Sequence, residues 1–319
     1  MKISESVLAL IGNTPLVKLK KPPGDHTANV LVKLEYLNPS GSLKDRIALK
    51  MIDDAEDEGH LKPGYTILES STGNTGIALS FVGKLKGYQV IIYETTPGKV
   101  GAEKRKIMAG YGAEVRSIPP DELASLKEKS VSGAEVERPG RMMCLELEKA
   151  HPTYWWARQF SNRSNVTAHH ETAKEILEQT DGKVAAFIAS IGTGGTLMGV
   201  AEVLKAENPD VRIIGVQPAS STIPMIPGQP YPTSETTGGI VTDMLSAPGL
   251  INEVVEVSDR DAVDMIIKLR KQDGLFAGVS SGANVLVALR EAERLGSGNV
   301  VTVLCDSADR YFSEERFVT

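Results

Sequence analysis

Five short runs rich in valine and isoleucine, at residues 30–34, 89–93, 184–191, 211–216 and 300–304, alternate along the chain with longer stretches of helical periodicity. Runs this apolar suit strands buried on both faces of a parallel sheet, and parallel neighbours require crossover connections. The intervening segments, at 45–58, 75–86, 172–179, 196–207, 259–272 and 281–295, supply helices for those crossovers. The alternation predicts an α/β fold with helices on both faces of parallel-rich, twisted sheets.

With 319 residues, the chain exceeds the usual size of one hydrophobic core, so two packed units sharing a cleft are expected. A polar stretch at 119–139, followed by His151 and Pro152, places a boundary near residue 150. A proline-rich region at 218–248 reads as a long loop at the site, because strand and helix patterns resume on both sides. A formal charge of -6 offers no overall field for a nucleic-acid backbone, so no nucleic-acid partner is expected. Cys144 and Cys305 form no CxxC or CxxH pattern, which points away from disulfides and zinc and towards a reducing cytoplasm. No apolar run is long enough to cross a bilayer, so no membrane partner is expected.

Three glycine-rich turns each follow an apolar run and open a helix: Ser71 to Gly76, Gly192 to Thr196, and Gly278 to Gly282. In an α/β fold such turns lie at the carboxyl ends of strands, where backbone amides at a helix start can meet an anion. The second begins like a dinucleotide fingerprint, but Leu197 stands where its third glycine belongs and Gln217 follows the next strand in place of an acid. A single phosphate held by amides and the hydroxyls of Thr193 and Thr196 fits better. The third matches GxSxG, yet the last histidine, His170, precedes Ser280, which leaves a hydrolase without its base. His169 and His170 read as a helix-entry element, and no histidine pair has metal-ligand spacing, so no metal site is expected. Lys44 follows a Pro39, Ser40, Gly41 turn and a candidate cap, Ser42, in the first turn of a helix. There the helix dipole disfavours an ammonium ion, and with burial the amine becomes a nucleophile able to form a Schiff base with a carbonyl cofactor.

Taken in order, Ile11-Gly12-Asn13-Thr14-Pro15-Leu16, Asn38 to Arg46, the asparagine loop Ser71 to Gly76, Gln159-Phe160-Ser161-Asn162, Gly192 to Thr196, Gly278 to Gly282 and Asp309-Arg310-Tyr311 resemble one family across nearly the whole chain. That family is the pyridoxal-phosphate enzymes of fold type II, tryptophan synthase β-like in architecture, and within it the cysteine synthase and cystathionine β-synthase group. The resemblance implies pyridoxal 5'-phosphate bound to Lys44 as a Schiff base. Its phosphate would be held by Gly192, Thr193, Gly194, Gly195 and Thr196, its phenolic oxygen by Asn74 and its pyridine nitrogen by Ser280. Ser71, Thr72, Gly73 and Thr75, with Gln159, would bind the substrate carboxylate. A smaller unit, residues 41–150, would close over a larger one, residues 1–40 and 151–319, around a reactive aminoacrylate.

The implied activity is a β-replacement that makes cysteine from O-acetyl-L-serine, or O-phospho-L-serine, and sulfide. Cystathionine β-synthase activity on serine and homocysteine, a serine or threonine dehydratase, and a non-catalytic partner protein are the alternatives. Departures from the family pattern leave the leaving group and nucleophile open: Ser70-Ser71-Thr72 replaces Pro-Thr-Ser, and Val100-Gly101-Ala102-Glu103-Lys104-Arg105 replaces Met-Ser-x-Glu-Arg-Arg. The loop at 218–248 holds no Lys or Arg, Arg46 and Arg310 belong to shared motifs, and Lys99 and Lys104 are expected to be solvated, which favours the uncharged acetyl group. The resemblance also implies a homodimer, with Val7, Leu8 and Leu10 as a candidate contact. The chain ends at Thr319, directly after the catalytic unit, so a regulatory domain is not expected.

Overall fold

The computed structural model describes residues 3–20, 27–71, 73–94, 99–117, 121, 138–219, 245 and 249–312. The loop at 218–248 and the polar stretch at 119–139 fall mostly outside the described residues, as does Thr72. Two sheets carry the described fold. The larger is built from β1 (Leu16–Lys18), β2 (Asn29–Lys33), β7 (Ala186–Ser190), β8 (Arg212–Pro218), β9 (Glu253–Val257) and β10 (Asn299–Val303). Its strand order is β1-β2-β10-β7-β8-β9, parallel throughout except for β1 against β2. The smaller holds β3 (Thr66–Ser70), β4 (Gln89–Glu94), β5 (Glu114–Ser117) and β6 (Tyr154–Trp156) in the order β5-β4-β3-β6, all parallel.

The helices are α1 (Lys44–Asp57), α2 (Asn74–Leu85), α3 (Lys99–Gly110), α4 (Arg138–Ala150), α5 (Ser164–Gln179), α6 (Gly195–Glu207), α7 (Asp259–Asp273) and α8 (Val279–Leu295). Strand side chains alternate between two cores, as the pleat requires. Ala186, Ile188 and Val300 pack under α8, while Phe187, Ala189 and Val301 pack under α5 and α6. The smaller sheet is covered in the same way, with Ile67 and Ile92 against α1 and α2, and Leu68 and Ile91 against Cys144 of α4. The expected layering of helices on both sheet faces is therefore present, and the five expected strands match β2, β4, β7, β8 and β10. The edge strands β1 and β6 are too short for a pattern, and Glu69 interrupts the apolar run of β3.

A buried ionic cluster ties these pieces together. Arg46 Nε and Nη2 donate to Glu35 at 2.7 and 2.9 Å, and Nη1 and Nη2 donate to Glu175 at 2.7 and 2.8 Å. Lys33 Nζ donates to Glu175 and to the Thr14 carbonyl, both at 2.6 Å. The cluster spans the N-terminal segment, β2, α1 and α5. Burial by itself would raise the Glu175 carboxyl, but Arg46 and Lys33 hold it down at about 2. Its charge therefore stabilises the fold above the ordinary carboxylate range, and that contribution fades as pH falls through about 2. Glu175→Gln should destabilise the protein at pH 7 by about 3 kcal/mol, read from the urea midpoint. The gap from the native protein should narrow below pH 4.5, and a gap that is constant with pH would show that this ion pair does not hold the fold.

Candidate active site

Strand order positions the site. From β7 the chain moves through α6 to β8 and on to β9, whereas β10 lies on the opposite side of β7. The strand order reverses between β7 and β10, and ligands of open α/β sheets bind outside the carboxyl ends of the strands at such a point. A cavity of about 180 Å³ lies there, walled by Ala189 and Ser190 at the end of β7 and by Val303 and Cys305 at the end of β10.

Most of the expected cofactor residues meet in it. Lys44, Asn74 and Ser280 line the cavity together with Gly192, Thr193, Gly194 and Thr196. Gly195 lies just behind, where a Cβ would come 2.0 Å from Asn165 Oδ1. Lys44 begins α1, and its N–H donates to Ser42 Oγ at 3.3 Å. Leu43 already has helical dihedrals, so Ser42 acts as the cap. Gly194 has φ of 84°, a left-handed conformation suited to glycine, and turns the chain into α6. Among the described residues, the side chains lining the cavity include one cation, Lys44, and no carboxylate. Backbone amides, threonine hydroxyls and one amine form a donor set that fits an anionic carbonyl compound such as pyridoxal phosphate.

The Asn74 amide is oriented from both ends. Arg310 donates to Oδ1, and Nδ2 donates to Asp306 Oδ2 at 2.7 Å. Tyr311 Oη donates to the same Asp306 oxygen at 2.6 Å. A carboxylate accepts only, so the amine end is fixed and its second hydrogen remains for a ligand. The Cys305 thiol is pushed up to about 11, first by burial and then by Asp306, so at neutral pH it stands in the wall as a thiol rather than a nucleophile.

The expected carboxylate residues form the start of α2 beside the cavity. Ser71 Oγ accepts from the Gly73 and Gly76 amides at 3.2 and 3.1 Å. The Asn74 and Thr75 amides, in the first turn, have no acceptor within the helix. Gln159 braces this loop: Nε2 donates to the Ser70 carbonyl at 2.9 Å, and Oε1 accepts from Thr75 Oγ1 at 2.7 Å. Behind it, Glu69 accepts from the Ser70 and Gln159 amides and from Trp156 Nε1, and burial raises its pKa.

Two expectations are corrected. Lys104 is only 9% exposed, not solvated: its Nζ lies 4.7 Å from the centroid of the Tyr311 ring, and a Cβ on Gly73 would meet that Nζ at 3.2 Å. Apolar stem packing beside the asparagine loop outweighs solvation of the ammonium. His169 and His170 lie inside α5 rather than at its entry, because the helix begins at Ser164. Cys305, Asp306 and Ser190 escape the sequence reading. Their one local signal is that Ser190 ends β7 and that Cys305 and Asp306 follow the end of β10, where ligand contacts gather.

The chain is similar to known proteins along nearly its whole length. Residues 7–306 match the family model described as pyridoxal-phosphate dependent enzyme. A cysteine synthase of Staphylococcus aureus is 39% identical over 314 residues, 97% of this chain and 96% of that protein. Cysteine synthase B of Pseudomonas aeruginosa is 38% identical, covering 95% and 94%. Among solved structures, an O-ureido-L-serine synthase superposes with a TM-score of 0.84 at 33% identity, covering 99% of this chain and 96% of that one. O-acetyl serine sulfhydrylase isoform 3 of Entamoeba histolytica gives the same TM-score and identity, covering 100% and 92%.

Asn74→Asp should set two carboxylates at hydrogen-bond distance, where like charges cannot both ionise. Its melting temperature should fall below that of the native protein by an amount that grows as pH rises through the carboxylate range. A loss independent of pH would mean that positions 74 and 306 do not share the bond.

Proposed function

The chain belongs to the pyridoxal-phosphate-dependent enzyme family, and on that premise we propose that it is a cysteine synthase, replacing the β-substituent of an activated L-serine by sulfide. The observation that carries this reading is the cavity in which Lys44 meets Gly192, Thr193, Gly194 and Thr196 beside Asn74 at the start of α2. When bound, the cofactor supplies an aldehyde for the amine and an electron-withdrawing ring. Lys44 Nζ would anchor the cofactor and would move the proton at the substrate α-carbon. Gly192, Thr193, Gly194, Gly195 and Thr196 would hold the phosphate, and Asn74 would serve the phenolic oxygen. Ser280, a neutral partner for the pyridine nitrogen, cannot keep that nitrogen protonated as a carboxylate would, which favours loss of a β-substituent over transamination.

Ser71, Thr72, Gly73 and Thr75 receive the substrate carboxylate, with Gln159 as their brace. The start of α2 and the Lys104 ammonium both favour an anion there. That assignment directs Lys104 to the carboxylate, while Arg46 is engaged by Glu35 and Glu175 and Arg310 by Asn74 and the Ser40 carbonyl. The Lys99 side chain lies outside the described residues; a phosphate leaving group would need a further cation, and the loop at 218–248 holds no Lys or Arg, so O-acetyl-L-serine is preferred to O-phospho-L-serine. Closure of the smaller unit, residues 41–150, over residues 1–40 and 151–319 would exclude water. Cytoplasmic location agrees with the two buried free cysteines. Among the described residues no helix is long and apolar enough to cross a membrane. A homodimer is supported by Val7 and Leu10, 40% and 54% exposed, while Leu8 packs on the chain's own core.

Lys44→Ala should fold, lack the visible absorbance of a Schiff base and lose roughly 10³-fold or more in turnover. Retained absorbance would overturn the assignment of Lys44. In the native enzyme, kcat/KM should be higher for O-acetyl-L-serine with sulfide than for O-phospho-L-serine with sulfide or for serine with homocysteine. The reverse order would overturn the substrate choice. Sedimentation equilibrium at micromolar concentration should give twice the 34.2 kDa chain mass, and a monomer alone would exclude the dimer.

A further inference from the structure

One face of α5 backs residues 192–196. Asn165, His169 and Thr172 follow at intervals of four and three, which places them on the same side of the helix. α5 and α6 approach closely because Gly199 lacks a side chain, where a Cβ would stand 2.1 Å from the Val166 carbonyl oxygen. Asn165 Nδ2 donates to the Gln159 carbonyl at 2.7 Å and to Thr193 Oγ1 at 3.0 Å. The carbonyl can only accept, so the amide orientation is fixed. Thr193 Oγ1 also accepts from the Gly195 amide at 3.4 Å, which engages both lone pairs and leaves its hydroxyl proton to donate elsewhere.

The second hydroxyl depends on a histidine tautomer. Thr196 Oγ1 lies 3.1 Å from His169 Nε2, and Thr172 Oγ1 lies 3.1 Å from His169 Nδ1. Distance does not say which way these protons run, but burial does. Thr172 is 0% exposed, and among the described residues its hydroxyl has a single partner, Nδ1 of His169. Were Nδ1 protonated, the Thr172 proton would be buried without an acceptor. Thr172 therefore donates to Nδ1, which in a neutral imidazole leaves the ring proton on Nε2, facing Thr196 Oγ1. Thr196 borders the cavity and can turn its own proton into it.

We infer that α5 sets the polarity of the phosphate cradle: Asn165, and His169 as the Nε2–H tautomer imposed by Thr172, donate to Thr193 and Thr196 from behind, so that both hydroxyls donate to a phosphate monoester. Asn165, His169 and Thr172 are positioning residues, since they act through the two threonines. Burial and the nearby Lys44, Arg46 and His170 keep His169 neutral, as the arrangement requires. The inference rests on the reading that residues 192–196 hold the cofactor's phosphate.

The test is nitrogen-15 NMR of the labelled, cofactor-loaded enzyme, with the His169 signals identified by their loss in His169→Gln. Nδ1 should resonate as a pyridine-type nitrogen and Nε2 as a pyrrole-type one. Thr172→Val should lose this preference and release cofactor about five- to tenfold faster on repeated ultrafiltration, the effect of one hydrogen bond. Thr172→Ser should restore both. A pyrrole-type Nδ1 in the native enzyme, or unchanged cofactor release from Thr172→Val, overturns the inference. Equal cofactor retention by a Thr193→Val, Thr196→Val double variant would instead overturn the assignment of the cradle itself.

Discussion

The buried pairing of Arg46 with Glu35 and Glu175 is the constraint on which the site depends. Charges removed from water cost several kcal/mol each unless a partner meets them, so removing any member would leave another uncompensated. Arg46 lies two residues after Lys44, and its guanidinium is held by five hydrogen-bonding contacts to Glu35, Glu175 and Thr14. The first turn of α1 is therefore anchored to β2 and α5, as a fixed end from which the rest of the smaller unit can close. Lys44 inherits that rigidity, and its place at the cavity edge follows from ion pairs made on another face of the same turn.

The same fold aims four helix starts at one region. Lys44 opens α1, Asn74 opens α2, Gly195 opens α6, and Ser280 is the second residue of α8. Each helix start contributes a partial positive charge and unsatisfied amides. With Lys44 the one charged side chain among the described residues of the wall, the field suits a ligand bearing both a phosphate and, after reaction with an amino acid, a carboxylate. Two neighbours stay neutral for different reasons: burial and then the nearby cations hold His169 unprotonated, whereas Cys305 stays a thiol because burial and Asp306 outweigh Lys44.

Support for this field lies in a layer behind the cavity. Glu69 and Gln159 brace the loop before α2, Asp306 and Arg310 orient Asn74, and α5 backs residues 192–196. Most of these groups are carboxylates, amides or a guanidinium with several bonds each, so they resist reorientation more than a single hydroxyl would. Such preorganisation is what binding of small anions in a water-accessible cleft demands.

The sequence by itself determined the α/β class, five of the buried strands, and the glycine turns and lysine that gather at the cavity, because these features are local. A strand buried on both faces must be apolar along its length, and a left-handed turn such as that at Gly194 favours glycine whatever surrounds it. Tertiary structure alone decided which remote groups complete the site. Lys104 was expected in solvent but lies against Tyr311 and Gly73, and His169 was expected at a helix entry but stands between Thr172 and Thr196. Glu69 breaks the apolar pattern of β3 because its carboxylate is matched by Ser70, Trp156 and Gln159, the last two about 90 residues away. Desolvation and hydrogen bonding of a polar side chain depend on what the folded chain places beside it, and no spacing within the sequence encodes that neighbour.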